Sequence, residues 1–264
     1  MKYLASSPVI IDFSVVTILK RSWSILLKQP ALFLGLWILP YAIKNISLVY
    51  LAYLVIPNLQ TSDLLADEML TILTNAQYVM MLTIIFSICT FIIVEAVIVY
   101  AAFLAAKNEY ISLRQVLIRS VPRFGWLLLL AILPALCLLS IHFYTRLLLA
   151  PAFLIIYFFL LCIPACVVEK LRAIASMKRS AMLTKGYRIK IFILSLIISI
   201  VYILLQYLVL FIVNTITSDI IRIIIEPLPS LLLNAFGSVV IIAIYCELRS
   251  IKEGVPVENL TEIP

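Results

Sequence analysis

Long apolar runs alternate with short polar segments along almost the whole chain. A helix needs about 20 apolar residues to cross about 30 Å of hydrocarbon, and several runs reach that length. We therefore predict six membrane-spanning helices, at about residues 31–57, 78–106, 124–143, 147–168, 191–214 and 228–247. The predicted fold class is an all-α, polytopic transmembrane helix bundle, in which residues 1–264 form a single integral membrane domain.

The connection between the third and fourth predicted spans consists of little more than residues 144–146. Such a short connection requires a tight antiparallel hairpin if both helices cross the membrane. The sequence leaves open whether both of them do.

Amphipathic segments precede the odd-numbered spans and predict helices that lie in the membrane interface. In the segment at about 13–29, the predicted apolar face consists of Val16, Leu19, Trp23 and Leu26. In the basic segment at about 170–186, the predicted apolar stripe consists of Leu171, Ile174, Met177 and Ala181. A shorter segment of the same kind, with Arg119 on its polar face, precedes the third span.

Each amphipathic segment contains an arginine followed by a serine, at Arg21-Ser22, Arg119-Ser120 and Arg179-Ser180. One interpretation is a repeated unit of interfacial helix, span and return span. The alternative is that membrane insertion favours basic flanks at these positions without any repeat.

Composition supports the membrane assignment, because 65% of the residues are hydrophobic and only 12% are charged. Soluble domains carry about 25% charged residues. The mean hydropathy of +1.19 is spread along the chain, so no separate soluble domain is predicted.

The basic residues predict the orientation of the bundle. All but three of the 20 Lys and Arg residues fall on one predicted side, and the exceptions are Lys44, Arg146 and Arg222. Positive charge is retained on the cytoplasmic side during insertion. We therefore predict a multi-pass protein of a bacterial-type inner membrane, with both termini in the cytoplasm.

The net charge of +7 is expected at this membrane surface and not at a nucleic acid. Anionic membrane lipids are the predicted partners, whereas the sequence identifies no protein partner and no oligomeric state. The residues predicted to face lipid or phosphate on the cytoplasmic side are Arg21, Lys28, Arg119, Arg172, Lys178, Arg179, Ser180 and Thr184.

Two charges fall inside predicted spans, Lys44 in the first and Glu95 in the second. Each would cost about 3 kcal/mol at a lipid-facing midplane, so both are expected to face protein or water. Their similar predicted depths favour an ion pair between them. The favoured interpretation is a structural ion pair that holds the two neighbouring helices together. The alternative is a polar binding site for a headgroup, an ion or a proton.

The sequence contains no constellation typical of catalysis or metal binding. It has one His, five Gly and no paired carboxylates at a suitable spacing for acid and base catalysis. Cys162 and Cys166 share a helix face, but without a His or carboxylate partner this spacing favours packing over metal binding. We predict no cofactor, no metal and no enzymatic activity.

A distributed pattern of residues carries a family resemblance. It comprises residues 113–119, the stretch from Pro151 to Pro164 with Val167-Val168-Glu169, the stretch Met177–Gly186, and Tyr245–Arg249 with Lys252-Glu253-Gly254. In their order, these features resemble the membrane domain fused to some glycerophosphoryl diester phosphodiesterases, and related stand-alone bacterial inner-membrane proteins. The resemblance implies a multi-helix membrane domain near lipid or envelope metabolism. It implies no diesterase activity, because the 264 residues are committed to spans and leave no room for the catalytic barrel.

Glu169 lies within this pattern, beside the basic segment. It can form an ion pair with Lys170, Arg172 or Lys178 as a cytoplasmic latch, or it can bind a cationic ligand. The favoured interpretation is an ordinary carboxylate at the start of a helix, where the backbone dipole attracts negative charge.

The leading functional hypothesis is a non-enzymatic membrane protein that binds anionic lipid and supports envelope or lipid homeostasis. The second is a small-solute or lipid transporter component that uses Lys44 and Glu95 as a mid-membrane polar site. An intramembrane lipid-modifying enzyme is the third. The sequence identifies no ligand that would decide between them.

Overall fold

A computed structural model describes residues 13–59, 66–109, 112–130, 132, 160–215 and 225–254. These residues contain helices and connecting turns and no β-strand, so the all-α prediction is confirmed for this part of the chain. The helices are α1 Val15–Lys28, α2 Pro30–Leu59, α3 Ala66–Ala106, α4 Leu113–Ser120, α5 Cys162–Val168, α6 Ala173–Thr184, α7 Arg188–Asn214 and α8 Leu228–Glu253. A 3-10 turn at Val121–Arg123 joins α4 to a helical stretch at 124–130.

Three of these helices are long and apolar enough to cross a membrane: the Met81–Ala106 part of α3, α7 and α8. A fourth span results if α1 and the Pro30–Ile43 part of α2 count as one bent span. The described residues therefore indicate a membrane protein with three to four candidate spans. Most of the predicted spans at 124–143 and 147–168 lies outside the described residues.

A helix boundary falls inside the described part of the predicted span at 147–168. A turn at residues 160–161 precedes α5, which begins at Cys162 and ends at Val168. Pro164 is the third residue of α5, and a proline without an N–H group fits best in the first turn of a helix. The proline therefore favours a new helix start at this point.

α1 and α2 meet at an angle of 89°. Gln29 separates them with a non-helical backbone, and Pro30 is the first residue of α2, where its missing N–H costs nothing. At the other end of α1, the Ser14 side chain accepts a hydrogen bond from the Thr17 N–H. The first helix therefore lies across the end of the bundle and packs against α8 and α3.

The inward face of α1 differs from the predicted apolar face. Ile18, Ser22 and Ile25 are buried with Leu26, whereas Val16 is 59% exposed and Trp23 is 50% exposed. The predicted apolar face is therefore divided, because Leu26 packs against the protein whereas Val16 and Trp23 point outward, where an interfacial helix would meet lipid.

The inward face of α6 also differs from the prediction. Its buried residues are Ala173, Ser176, Ser180, Leu183 and Thr184. Ile174, which was placed on the apolar stripe, is exposed. Small side chains let helix backbones approach closely, and the Ser and Thr hydroxyls can donate hydrogen bonds to backbone carbonyls of the preceding turn.

α3 and α8 form the centre of the described bundle. The α3 residues from Val94 to Ala105 are all buried, and α8 contacts α1, α2, α3, α5, α6 and α7. By contrast, α7 exposes large apolar side chains along most of its length, including Ile189, Tyr207 and Phe211. An apolar helix of this kind is stable when lipid covers it.

We expect α6 to distinguish two alanines that differ only in burial. Ala173→Leu places a large side chain on the buried face and should destabilise the protein by about 1–3 kcal/mol through overpacking. Ala175→Leu lies on the exposed face of the same helix and serves as the matched control. The measurement is the melting temperature in detergent, read with a thiol-reactive dye that detects the buried cysteines of α5 on unfolding. Equal melting temperatures of the two variants would contradict the observed face.

Candidate functional site at the basic end of the bundle

The basic end is the end of the bundle where α3 and α8 finish and where α2 and α7 begin. Glu169 lies here, directly after the last residue of α5 and before α6. The prediction of a carboxylate at a helix start is therefore wrong, because Glu169 caps a helix C-terminus. The backbone dipole disfavours negative charge at this position, so the carboxylate needs cationic or hydrogen-bonding partners.

Three side chains from two other helices surround the Glu169 carboxylate. Arg179 of α6 donates from Nε to both carboxylate oxygens at 2.9 Å. Tyr245 of α8 donates its hydroxyl to Oε1 at 2.7 Å, and Arg249 Nε lies 3.9 Å from the same oxygen. Glu169 is only 3% exposed, so these contacts replace water almost completely.

A second carboxylate closes this group of charges. Arg249 Nε donates to Glu253 Oε2 at 2.8 Å, and Arg179 Nη2 donates to Glu253 Oε1. Glu169, Arg179, Arg249 and Glu253 therefore form a charge-balanced set, called here the four-charge cluster. It joins the C-terminal end of α5, the middle of α6 and the last turns of α8.

The charge of Arg179 is maintained despite its partial burial. Burial alone lowers the pKa of a guanidinium, but hydrogen bonds to Glu253 and Glu169, together with their negative charges, outweigh burial and raise the pKa of Arg179 above its ordinary value. The arginine therefore remains a permanent cation in the cluster.

Lysines cap two helix ends beside the cluster. Lys28 Nζ donates to the Ala105 carbonyl and to Asn108 Oδ1, each at 2.6 Å, at the C-terminal end of α3. Lys252 Nζ donates to the Lys185 carbonyl at 3.1 Å and to the Met182 carbonyl, at the C-terminal end of α6. Cations at helix C-termini satisfy free carbonyl groups and complement the backbone dipole.

The remaining predicted lipid-facing arginines also contact protein groups. Arg21 Nη1 lies 3.7 Å from Glu247 Oε2, which ties α1 to α8. Arg119 donates to the Tyr100 hydroxyl at 2.6 Å, and the Arg172 guanidinium lies 5.9 Å from the centre of the Trp126 ring.

Two predicted phosphate-facing residues are not accessible. Ser180 and Thr184 are completely buried, so neither hydroxyl can meet a phosphate at the surface, contrary to the prediction. Ser180 Oγ instead accepts the Leu161 N–H at 3.2 Å, and Thr184 donates to the Ser180 carbonyl at 2.9 Å. Lys178 is exposed on the opposite side of α6.

The three arginine-serine pairs share a structural feature. Ser22, Ser120 and Ser180 are each completely buried. The preceding arginines reach side chains of other segments, namely Glu247, Tyr100 and Glu169. This shared arrangement is what a repeated unit would produce, although the repeat itself stays a prediction.

The predicted ion pair inside the membrane stays a prediction as well. Glu95 is buried, and its Oε2 lies 2.6 Å from Ser238 Oγ of α8. The Lys44 side chain lies outside the described residues. Trp37 of α2 packs against Phe91, one helical turn before Glu95, with ring centres 4.9 Å apart.

Sequence reasoning missed Tyr245 and Arg249 as partners of Glu169, and it missed Glu253 as the second carboxylate of the four-charge cluster. These three residues recur at intervals of four, so they share one face of α8. That spacing was the available signal. The partners predicted for Glu169 were near it in sequence, whereas two of the three side chains around it come from α8, more than seventy residues away.

The described geometry supports a structural and surface role for the basic end. Its buried charges satisfy one another, and no group of three or more His, Cys, Asp or Glu residues that could hold a metal was found within the described ranges. Comparison of the chain with protein-family models, curated proteins and solved structures gave no match.

We expect Glu169→Gln to destabilise the protein by about 3 kcal/mol, because it leaves Arg179 and Arg249 with Glu253 as their one counter-charge in the four-charge cluster. The control is Glu109→Gln, since Glu109 is about half exposed and pairs with Lys107 at the surface, where an ion pair contributes about 0–1 kcal/mol. Unfolding monitored in detergent should separate the two variants. Equal stability of both would show that the four-charge cluster does not hold the helix ends together.

Proposed function

We propose that this chain is a non-enzymatic integral protein of a bacterial-type inner membrane, which binds anionic lipid at the basic end and supports envelope or lipid homeostasis. The observation that carries the proposal is a surface on which exposed basic and exposed apolar side chains alternate. Exposed basic residues there include Lys20, Arg114, Lys178 and Lys185. Exposed apolar residues on the same helices include Trp23, Leu27, Leu117, Ile174 and Met182.

The basic residues at this end form two groups, those that contact protein and those that are exposed. Arg21, Lys28 and Arg179 bind protein groups and stabilise the helix ends. The exposed Lys178 and Lys185 are the better candidates for headgroup contact. Apolar side chains beside such lysines can enter the headgroup region while the ammonium groups meet lipid phosphates, which is how interfacial helices bind membranes.

The proposed topology has six spans with both termini in the cytoplasm. The described basic residues cluster at one end of the bundle, which is the asymmetry expected for a cytoplasmic face. α1 and α6 would lie in the interface at that face. Their outward apolar residues, Val16 and Ile174 among them, support this position.

The resemblance to the membrane domain of glycerophosphoryl diester phosphodiesterases is part of the proposal. Two stretches that carry it, Met177–Gly186 and Tyr245–Arg249, provide Arg179, Tyr245 and Arg249 around Glu169. The proposed relationship rests on the sequence pattern, to which these three residues belong.

A transporter component is the alternative function. One observation favours it, namely the buried carboxyl group of Glu95 between α3 and α8, inside two candidate spans. Ionisable residues at such positions commonly serve ion or proton pathways. In this alternative, Lys44 and Glu95 line the polar site.

Lipid retention tests the leading proposal. Each basic residue near an anionic surface contributes about 1 kcal/mol, so Lys178→Gln with Lys185→Gln should weaken retention of anionic lipid by about thirtyfold. Native mass spectrometry of the gently solubilised protein, titrated with anionic or zwitterionic lipid, measures this. The control is Arg146→Gln with Arg222→Gln, which removes the same charge on the predicted opposite side. Equal loss in both double variants, or no anionic preference in the wild type, would refute the proposed binding surface.

Cysteine labelling of intact cells tests the proposed orientation. Ser62→Cys lies in the acidic segment at 58–77, which is proposed to be outside, and Ser112→Cys lies before α4 at the basic end. A membrane-impermeant maleimide should label the first variant in intact cells and the second only after the membrane is permeabilised. The wild type measures labelling of the native cysteines. The reverse pattern would place the basic end outside and contradict the proposal.

A further inference from the structure

Glu95 has few hydrogen-bonding partners for a buried carboxyl group. It lies about 16 Å along α3 from Ala106, at about 1.5 Å per residue, and is only 3% exposed. Its Oε2 lies 2.6 Å from Ser238 Oγ. Its Oε1 is buried and has no hydrogen-bond partner among the described residues.

The position of the Ser238 hydroxyl constrains the proton. Ser238 Oγ lies within hydrogen-bond distance of two acceptors, Glu95 Oε2 at 2.6 Å and the Asn234 carbonyl at 2.9 Å. A hydroxyl has one proton and cannot donate fully to both. If Glu95 carries a proton, both contacts are satisfied, because the Glu95 O–H donates to Ser238 and the Ser238 O–H donates to Asn234.

The surroundings of Glu95 also favour the neutral acid. A carboxylate spreads its charge over both oxygens, so a buried Oε1 without a partner costs much more for the ion than for the neutral acid. Within the described part of the chain, no Lys or Arg forms an ion pair with Glu95. Neutralisation by proton binding is the usual response of an isolated buried carboxyl group.

We propose that Glu95, Ser238 and the Asn234 carbonyl form a proton-binding site inside the helix bundle, in which Glu95 is a neutral carboxylic acid at neutral pH. The bound proton lies on Glu95 Oε2, which donates it in a hydrogen bond to Ser238 Oγ. This proposal goes beyond lipid binding at the basic end and does not depend on it. It also excludes a permanent Lys44–Glu95 ion pair, because that pair requires an ionised carboxylate.

Infrared spectroscopy tests the protonation state directly. A carboxylic acid has a carbonyl stretch that a carboxylate lacks, and ¹³C-labelled glutamate shifts this band to lower frequency, which assigns it to a glutamate side chain. We expect the wild type, in an ester-free detergent at neutral pH, to show one band that shifts on glutamate labelling and that Glu95→Gln removes. The matched control is Glu247→Gln, which removes another buried carboxyl group, one that faces Arg21, and should leave the band unchanged.

Two further variants keep the test decisive if Glu95→Gln fails to fold. Ser238→Ala removes the hydroxyl partner and should shift the band without abolishing it. Lys44→Met should leave the band unchanged. Absence of the band in the wild type, its persistence in Glu95→Gln, an unshifted band in Ser238→Ala, or a band that appears only in Lys44→Met would each overturn the proposal.

Discussion

A carboxylate is unfavourable at the C-terminal end of a helix, because the backbone carbonyls already place partial negative charge there. Glu169 occupies this position at the end of α5. Burial makes the conflict worse, because water cannot supply the missing hydrogen bonds. The conflict is resolved only if donors arrive from elsewhere, and Arg179, Tyr245 and Arg249 supply them. The positions of α6 and α8 relative to α5 are thereby fixed at the basic end.

The basic residues at this end serve two purposes that a count of charges does not separate. Arg21, Lys28 and Arg179 compensate carboxylates or helix carbonyls and contribute to folding. Lys178 and Lys185 remain on the surface, beside apolar side chains. The number of basic residues therefore overestimates how many are available to bind lipid. The basic residues that contact protein mainly stabilise the helix ends that carry the exposed lysines.

Helix positions were predictable because membrane thickness sets the length of an apolar run directly, and α7 and α8 overlap the predicted spans at 191–214 and 228–247. Helix faces were not predictable by hydropathy. In α1 and α6 the inward face includes small polar residues such as Ser22 and Ser180, while some large apolar residues point outward, among them Val16 and Ile174. The partners of Glu169 were missed because they are distant in sequence, although the four-residue spacing from Tyr245 to Glu253 was visible.

The position of α8 in the chain has a consequence for biogenesis. Ribosomes make α5 and α6 first, so Glu169 and Arg179 are synthesised before Tyr245 and Arg249. Until α8 docks, the Glu169 carboxylate has Arg179 as a partner but neither Tyr245 nor Arg249. The basic end can therefore complete the hydrogen bonds of this buried carboxylate only after the last described helix has been made.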